Sequence, residues 1–217
     1  MRIGRCICWA LLPAILVLAL FPAAAQAPRA ADPAQRIEIR SQAIEAFDPR
    51  EPARTRFGAL SFRGGLVLES PDRRFGGLSG LHVEADGQHF LSLTDKGHWL
   101  RGRIVYRAGQ PIAIADAEMA AILGPDGRPL NQRGWYDTEA LARDGGTLYV
   151  VIERVNEIVR FDYARDGLRA RGVPIAVPRA IKTLPHNKSL ECLVVAPEDP
   201  AARGTTAAGT LIAISER

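Results

Sequence analysis

Residues 137–154 read DTEALARDGGTLYVVIER, and this stretch carries the pattern that decides the fold. A short run, Glu139–Ala142, stands before the turn residues Asp144-Gly145-Gly146, and the apolar run Leu148–Ile152 follows them. Two β-prone runs separated by an Asp-Gly turn are typical of a β-hairpin. The stretch therefore predicts two antiparallel strands, opened by polar residues and closed by the acidic Glu153.

The same plan occurs twice more along the chain. It occurs once as GGLSGL followed by FLSLTD within residues 76–95, and again as NKSLECL at 187–193 with LIAISER at 211–217. The equivalent positions Ser79, Glu139 and Glu191 are separated by 60 and 52 residues. Antiparallel repeats of about 40–60 residues are typical of β-propeller blades. The sequence thus predicts an all-β fold, a partial β-propeller of about three blades; a β-sandwich with coincidentally similar hairpins is the alternative.

Two local patterns give further expectations. Gly64-Gly65 lies between the strand-like runs Leu60–Arg63 and Leu66–Glu69, which predicts a two-residue hairpin turn. Alanine and methionine gather in Asp116–Leu123, directly before Gly124-Pro125, which predicts one short helix.

The N-terminus has the pattern of a secretory signal peptide. Arg2 and Arg5 precede the apolar run Ile7–Leu20, and Ala25–Ala27 forms a small-residue cleavage site. We expect a periplasmic or secreted protein with no stable membrane anchor after cleavage; an uncleaved anchor helix is the alternative.

The predicted organisation is a signal peptide at 1–27, a lead-in at 28–56 and an incomplete propeller domain at 57–217. Cleavage leaves 190 of the 217 residues, and three repeat units fill most of them. A closed propeller needs about four to eight blades. We therefore expect a C-terminally truncated chain that lacks blades and is inactive as a fragment.

Composition narrows the classes of partner. Hydrophobic residues make up 47% and charged residues 24% of the chain, an ordinary globular balance that excludes a disordered or collagen-like protein. After signal cleavage 26 basic side chains face 24 acidic ones, with no basic stripe, so nucleic acid is excluded as an expected partner. Cys192 is then the one remaining cysteine, so an intrachain disulfide is excluded.

Acidic side chains recur at two repeat-equivalent positions. Innermost propeller strands line a central channel, where carboxylates from several blades repel one another unless a proton or a hard cation intervenes. Oxygen ligands suit Ca²⁺, or alternatively Mg²⁺. The candidate catalytic residues are Glu139 and Glu191, and the candidate metal ligands are Asp95, Asp137, Glu153, Asn187 and Glu216. Alternatively each acid caps a turn or pairs with a neighbouring arginine.

Basic residues near these positions are candidates for binding an anionic or ester substrate. Lys96, Arg154 and Lys188 are the predicted substrate-binding residues, because ammonium and guanidinium groups bind phosphate oxygens. Arg73 and Arg74 are interpreted as a solvated rim. No histidine spacing indicates a zinc site, and no G-x-S-x-G motif indicates a serine hydrolase.

An ordered series of motifs resembles a known family. The motifs are Phe75–Leu81, Thr94–Trp99, Asp137–Ala142, Asn187–Glu191 and Ser215–Arg217. Together they resemble the phytase-like family described as "esterase-like activity of phytase", from about Phe57 to the last residue. Ser189 departs from the glycine expected in the Asn-x-Gly-x-Glu pattern.

The resemblance implies a secreted propeller, longer than this chain, that hydrolyses phosphate or other esters with the help of calcium. In that mechanism a metal-held water attacks phosphorus while the cation neutralises charge on the phosphoryl oxygens. Two other functions remain open at this point. One is a non-catalytic periplasmic binding or scaffold propeller, and the other is a metal-dependent lactonase.

Overall fold

The computed structural model of the chain describes residues 33–186, 188–197 and 207–216. The predicted signal peptide at 1–27 and the candidate ligand Asn187 lie outside the described residues. Within the described ranges, no helix has the length and apolar character needed to cross a bilayer.

Fifteen short strands account for most of the regular structure in the described part of the chain. In chain order they are β1 Gln35–Arg36, β2 Arg40–Ile44, β3 Arg56–Phe57, β4 Leu60–Ser61, β5 Gly65–Glu69, β6 Leu78–Val83, β7 His89–Thr94, β8 His98–Arg107, β9 Gln110–Ala121, β10 Thr138–Asp144, β11 Thr147–Ile152, β12 Glu157–Asp162, β13 Val173–Pro174, β14 Leu190–Val195 and β15 Leu211–Ser215. The helices are single turns: α1 Tyr163–Asp166, α2 Arg179–Lys182 and 3₁₀ turns at Leu130–Arg133, Glu153–Val155 and Gly167–Arg169. The all-β prediction is confirmed.

The strands form several small antiparallel sheets. The largest has the order β1-β9-β8-β7-β6, the next has the order β10-β11-β12-β13, and β14 pairs with β15. We call these three sheets unit 1, unit 2 and unit 3. The strands that begin the three repeat hairpins are β6, β10 and β14. They lie side by side, because β10 contacts both of the others. Consecutive units are thus arranged as neighbouring blades.

Apolar side chains between the units hold this arrangement. Leu91 and Leu93 of unit 1 share one core with Leu141 and Val150 of unit 2. A second core joins unit 2 to unit 3 through residues that include Ala140, Val151, Leu190 and Leu193. Burial of apolar surface between sheets is the main stabilising contribution in such layered folds.

Gly80 sets the distance between the first two units. A Cβ at this position would lie 2.7 Å from both the Cβ and the backbone nitrogen of Leu141. Because any larger residue would overlap β10, the absence of a side chain lets β6 approach it closely.

A β-bulge interrupts each first hairpin at the same place. The register shifts between Leu78 and Leu81 in unit 1, between Thr138 and Leu141 in unit 2, and between Leu190 and Cys192 in unit 3. A bulge leaves a residue out of the ladder and re-aims its side chain. Ser79, Glu139 and Glu191, which the repeat makes equivalent, lie within these bulges.

The predicted helix at Asp116–Leu123 is wrong. Most of this segment belongs to β9, which pairs with β8 from Gln110 to Ala121. Ala117 and Met119 are buried against that sheet. Pairing with a long neighbouring strand therefore outweighs the weak helix preference of alanine and methionine.

The predicted hairpin at Gly64-Gly65 is also wrong. β4 pairs with β3, whereas β5 pairs with β2, so the two runs are not partners. Gly64 has a φ of +127°, and a Cβ there would lie 2.8 Å from Cδ of Pro111. Glycine is required at position 64 because of this close approach and the positive φ. The segment predicted as a lead-in thus contributes β1 and β2.

Candidate functional site

The acidic positions are connected by backbone hydrogen bonds that run from unit to unit. Asp95 N donates to Gly77 O at 2.8 Å, and Asp137 N donates to Asp95 O at 2.7 Å. Glu153 N then donates to Asp137 O at 2.8 Å. Each acid is therefore placed by main-chain contacts of its neighbour rather than by its own side chain.

The series continues into unit 3 through a carboxylate. Ser189 N donates to Oε1 of Glu153 at 2.8 Å, and Glu216 N donates to Ser189 O at 3.1 Å. The Glu153 side chain is only 4% exposed. Ser189 thus supplies a backbone donor to a buried acid.

Three carboxylates meet at the end of β10 and β11. One oxygen from each of Asp137, Glu139 and Glu153 lies within 4.8 Å of the other two. Asp137 adopts a φ of +65°, a left-handed conformation that is uncommon outside glycine. We call these three residues the acidic cluster.

Burial and neighbouring like charges raise the free energy of an ionised carboxylate at the acidic cluster. Burial, followed by the charges of Glu191, Asp137 and Glu153, raises the pKa of Glu139 to about 7. Burial and the charges of Glu153, Glu216 and Asp137 also raise the pKa of Glu191. Carboxylates that share a site favour a proton or a cation between them.

Asp95 lies beside the cluster with one oxygen uncompensated. A Cβ on Gly77 would overlap the Asp95 carboxyl group, so the glycine admits the carboxylate against the backbone. Oδ1 of Asp95 is buried and has no hydrogen-bond partner among the described residues. Buried polar atoms of this kind are rare and generally have a partner such as water or an ion.

These donors fit a hard cation. All of them are oxygens, the ligands that Ca²⁺ and Mg²⁺ prefer. Two oxygens bound to one Ca²⁺ lie at most about 5 Å apart, and the oxygens of Asp137, Glu139 and Glu153 satisfy that limit at 4.8 Å.

A cleft of about 560 Å³ opens next to the cluster, and cationic side chains outnumber acidic ones three to two in its wall. It is lined by Arg73, Arg74, Asp95, Lys96, His98, Asn131, Tyr136 and Asp137. Asp137 is a cluster residue, and Asp95 is joined to it by a backbone hydrogen bond. An anionic group in this cleft would therefore lie between cationic side chains and the carboxylates.

Arg74 is not part of a solvated rim, which was its sequence-based prediction, because its side chain is paired and largely buried. Its Nη2 lies 2.6 Å from Oδ2 of Asp72, and its side chain is 26% exposed. The hydrogen bond from Arg74 lowers the pKa of Asp72 to about 2. This pair fixes a guanidinium group in the cleft wall.

His98, Asn131 and Tyr136 line the cleft but are not among the candidate site residues predicted from the sequence. His98 is half-buried, its Nδ1 has no partner among the described residues, and burial followed by the Arg74 charge lowers its pKa. Its position close to the repeat acid Asp95 is compatible with a general acid, but the sequence favours a surface or turn role for it; the structure places it in the cleft wall. Asn131 and Tyr136 belong to the irregular link between units 1 and 2, where no periodic pattern points to them.

The predicted substrate-binding residues fall in three different places. Lys96 lines the cleft. Arg154 stacks over the Tyr136 ring, with its Cζ 5.4 Å from the ring centroid, at the edge of the cleft. Lys188 is exposed in the turn before β14 and is not among the described residues that line the cleft.

Comparison with known proteins adds family membership. The family profile described as "Phytase-like: Esterase-like activity of phytase" matches residues 73–217, about two thirds of the chain. Comparison with curated proteins gives no match. The family match suggests a phytase- or esterase-like hydrolase, in keeping with an acidic cluster beside a basic cleft. The chain belongs to the phytase-like family.

Proposed function

We propose that the protein hydrolyses small phosphate or other esters with the help of a divalent cation, Ca²⁺ or alternatively Mg²⁺. The observation that carries this proposal is the position of the acidic cluster directly beside the basic cleft. The two features together match the needs of an anionic ester whose hydrolysis develops further negative charge.

Asp137 and Glu153 of the acidic cluster, together with Asp95 beside it, are the proposed cation ligands. Glu153 is already oriented by the Ser189 backbone N–H, and Asp95 offers an oxygen without another partner. A bound cation would supply charge neutralisation at the ester oxygens and activation of a water molecule. Glu216 follows β15 and acts on the pKa of Glu191, so we keep it as a more distant member of this set.

Glu139 is the proposed proton-transfer residue. In the protein without a cation, burial and the neighbouring carboxylates raise its pKa to about 7, so this carboxyl group can hold and release a proton near neutral pH, as general acid–base catalysis requires. Glu191, whose charge acts directly on Glu139, is proposed as its partner in the same role.

Lys96 and Arg154 are proposed to bind the anionic part of the substrate, and Arg74 assists from the opposite segment. The ion pair with Asp72 holds the Arg74 guanidinium in place before substrate arrives. Lys188 keeps its proposed role only for a substrate that extends toward unit 3. The signal-like pattern at 1–27 supports a proposed location in the periplasm or outside the cell.

The test is a hydrolysis panel on protein treated with a chelator and then supplied with Ca²⁺ or Mg²⁺. The panel contains p-nitrophenyl phosphate, p-nitrophenyl acetate and a sugar lactone. We expect phosphate or carboxylic ester turnover only with a cation, and loss of that turnover in Glu139→Gln. Glu69→Gln, which removes an exposed carboxylate on β5, is the matched control and should behave as the wild type.

Two outcomes would contradict the proposal. Calorimetric binding of Ca²⁺ without turnover of any panel member would indicate a non-catalytic binding protein or the inactivity as a fragment that the sequence predicts. Turnover of the lactone alone would indicate a lactonase.

A further inference from the structure

A second polar hollow, of about 350 Å³, lies on unit 2 away from the acidic cluster. It is lined by Arg165, Asp166, Arg169 and Arg171. β11 and β12 are antiparallel, and Asp162 at the end of β12 pairs with Thr147 at the start of β11. The hollow lies beyond that end of the hairpin, whereas the acidic cluster lies beyond the opposite end. The six residues of each strand span about 20 Å, which separates the two places.

The segment that carries two of these arginines is fixed by its buried side chains. Leu168 and Ala170 are buried, whereas Arg169 and Arg171 alternate with them and are exposed. Both arginines line the hollow. Arg169 ends the 3₁₀ turn Gly167–Arg169 and Arg171 lies two residues further along, so both guanidinium groups come from one short backbone segment.

Backbone contacts anchor the same segment. Ala170 N donates to Gly167 O at 3.1 Å, and Gly172 N donates to Leu123 O at 2.8 Å. The second bond ties the segment to the chain that follows β9, so both of its ends are held.

Gly127 forms a seat for one of the two guanidinium groups. A Cβ at Gly127 would lie 3.1 Å from Cζ and Nη2 of Arg171, so the planar group rests against bare backbone. Gly127 also has a φ of +77°, which a larger residue rarely adopts. The position of Arg171 is thus set before any ligand binds, which lowers the entropic cost of binding.

The hollow has more positive than negative charge. Arg165 is already paired, with Nη2 2.8 Å from Oδ2 of Asp166 and Nη1 3.2 Å from Oδ2 of Asp162. Arg169 and Arg171 have no carboxylate within ion-pair distance among the described residues. After Arg165, their charges also lower the pKa of Asp166.

We propose that this hollow binds a phosphate-type oxyanion, either free or at the end of a phosphomonoester. Guanidinium groups present paired N–H donors that match the spacing of two phosphate oxygens. Two such groups on one rigid segment, one of them seated on Gly127, form a fork that a single tetrahedral anion can occupy. This proposal is independent of ester hydrolysis, because it uses none of the cleft residues.

The experiment follows arginine side-chain Nε–H signals by NMR while chelator-treated protein is titrated with inorganic phosphate. We expect saturable shifts for Arg169 and Arg171, and about tenfold weaker binding in Arg171→Gln. Arg160→Gln, which removes an exposed arginine from β12, is the matched control and should bind phosphate as the wild type does. Circular dichroism checks that each variant is folded.

A lysine variant, a chloride control and a second ligand test the proposal further. Arg171→Lys keeps the charge but removes the fork, so it should bind more weakly than the wild type; equal binding would overturn the proposed geometry. Shifts that do not saturate, or that chloride reproduces at equal ionic strength, would overturn the site. Tighter binding of glycerol phosphate than of inorganic phosphate would assign a phosphomonoester as the ligand, and equal binding would assign the free anion.

Discussion

Units 1 and 2 share a hairpin and a bulge but use the bulged residue differently. In unit 1 the hydroxyl of Ser79 donates to the carbonyl of Thr138 at 2.5 Å and so joins the two units. In unit 2 the carboxyl group of Glu139 lies with Asp137 and Glu153 and is half-buried. The same β-bulge therefore attaches unit 1 to unit 2 in one case and places an acidic side chain among other carboxylates in the other.

The acids after the second strands differ in a corresponding way. Asp95 of unit 1 lies against Gly77, where no side chain competes for the space. Glu153 of unit 2 instead reaches the backbone of Ser189 in unit 3. Asp95, the shorter acid, leaves its Oδ1 without a hydrogen-bond partner among the described residues. Glu153, the longer acid, reaches far enough to accept a hydrogen bond from the backbone of Ser189.

The largest expected effect comes from making unit 2 resemble unit 1. Glu139→Ser should weaken Ca²⁺ binding about tenfold, because it removes one of three converging negative charges beside the proposed ligands, and should reduce any ester turnover by about 100-fold or more. Isothermal titration calorimetry and the hydrolysis panel measure the two effects. Unchanged Ca²⁺ affinity would show that the Glu139 charge does not act on a cation site.

Adding a methyl group between the units should cost stability. Gly80→Ala places a Cβ 2.7 Å from Leu141, and overpacking of this kind costs about 1–3 kcal/mol in unfolding free energy. Gly65→Ala is the control, because the nearest atom there is the flexible end of Ile44 at 3.1 Å. Urea unfolding compares the two, and equal midpoints would refute tight contact between β6 and β10.

Removing the Ser79 hydroxyl should have a smaller effect. Ser79→Ala leaves the Thr138 carbonyl without this donor, which should lower the unfolding free energy by about 1 kcal/mol. Ser61→Ala, on the exposed strand β4, should change it by less than about 0.5 kcal/mol. Ca²⁺ affinity should stay at the wild-type value, since the hydroxyl faces the neighbouring backbone. A loss of affinity would place Ser79 in the cation site.

The last expected effect is on the pH dependence of stability without metal, where solvent screening of the half-buried Glu139 reduces the change below what its pKa shift alone would give. The pKa of Glu139 is raised from 4.5 to about 7, so the folded protein holds this proton more tightly than the unfolded chain. Stability should therefore fall as pH rises from 4.5 to about 7. Glu139→Gln should flatten that part of the profile, and Glu69→Gln should not. Thermal unfolding in a chelator measures it, and identical wild-type and Glu139→Gln profiles would argue against the raised pKa.

Sequence patterns predicted the three hairpins because turn residues and apolar runs act locally. They did not predict that β5 pairs with β2, since nothing local distinguishes that partner from β4. They also misassigned β9, whose composition favours a helix although its long partner β8 favours a strand. Local preference is a good guide only where the neighbouring segment agrees with it.

The acidic positions were predictable for a similar reason. Ser79, Glu139 and Glu191 occupy one repeat position, and Asp95, Glu153 and Glu216 occupy another, so their equivalence is visible without coordinates. The cleft was less predictable, because Arg74, Asn131 and Tyr136 come from connections that have no period. The proposed phosphate hollow depends on the seat at Gly127, which only the packing of a distant segment reveals.

The backbone bonds that run from Gly77 to Glu216 have a consequence for how such a site can diversify. All of these bonds except the one from Ser189 N to Glu153 Oε1 join main-chain groups, so most of the positions do not depend on which side chains are present. A substitution such as serine for glutamate changes the chemistry at one position without displacing its neighbours. The backbone that positions the site is thus largely independent of the side chains that determine its specificity. Specificity can therefore change by substitutions in one unit at a time.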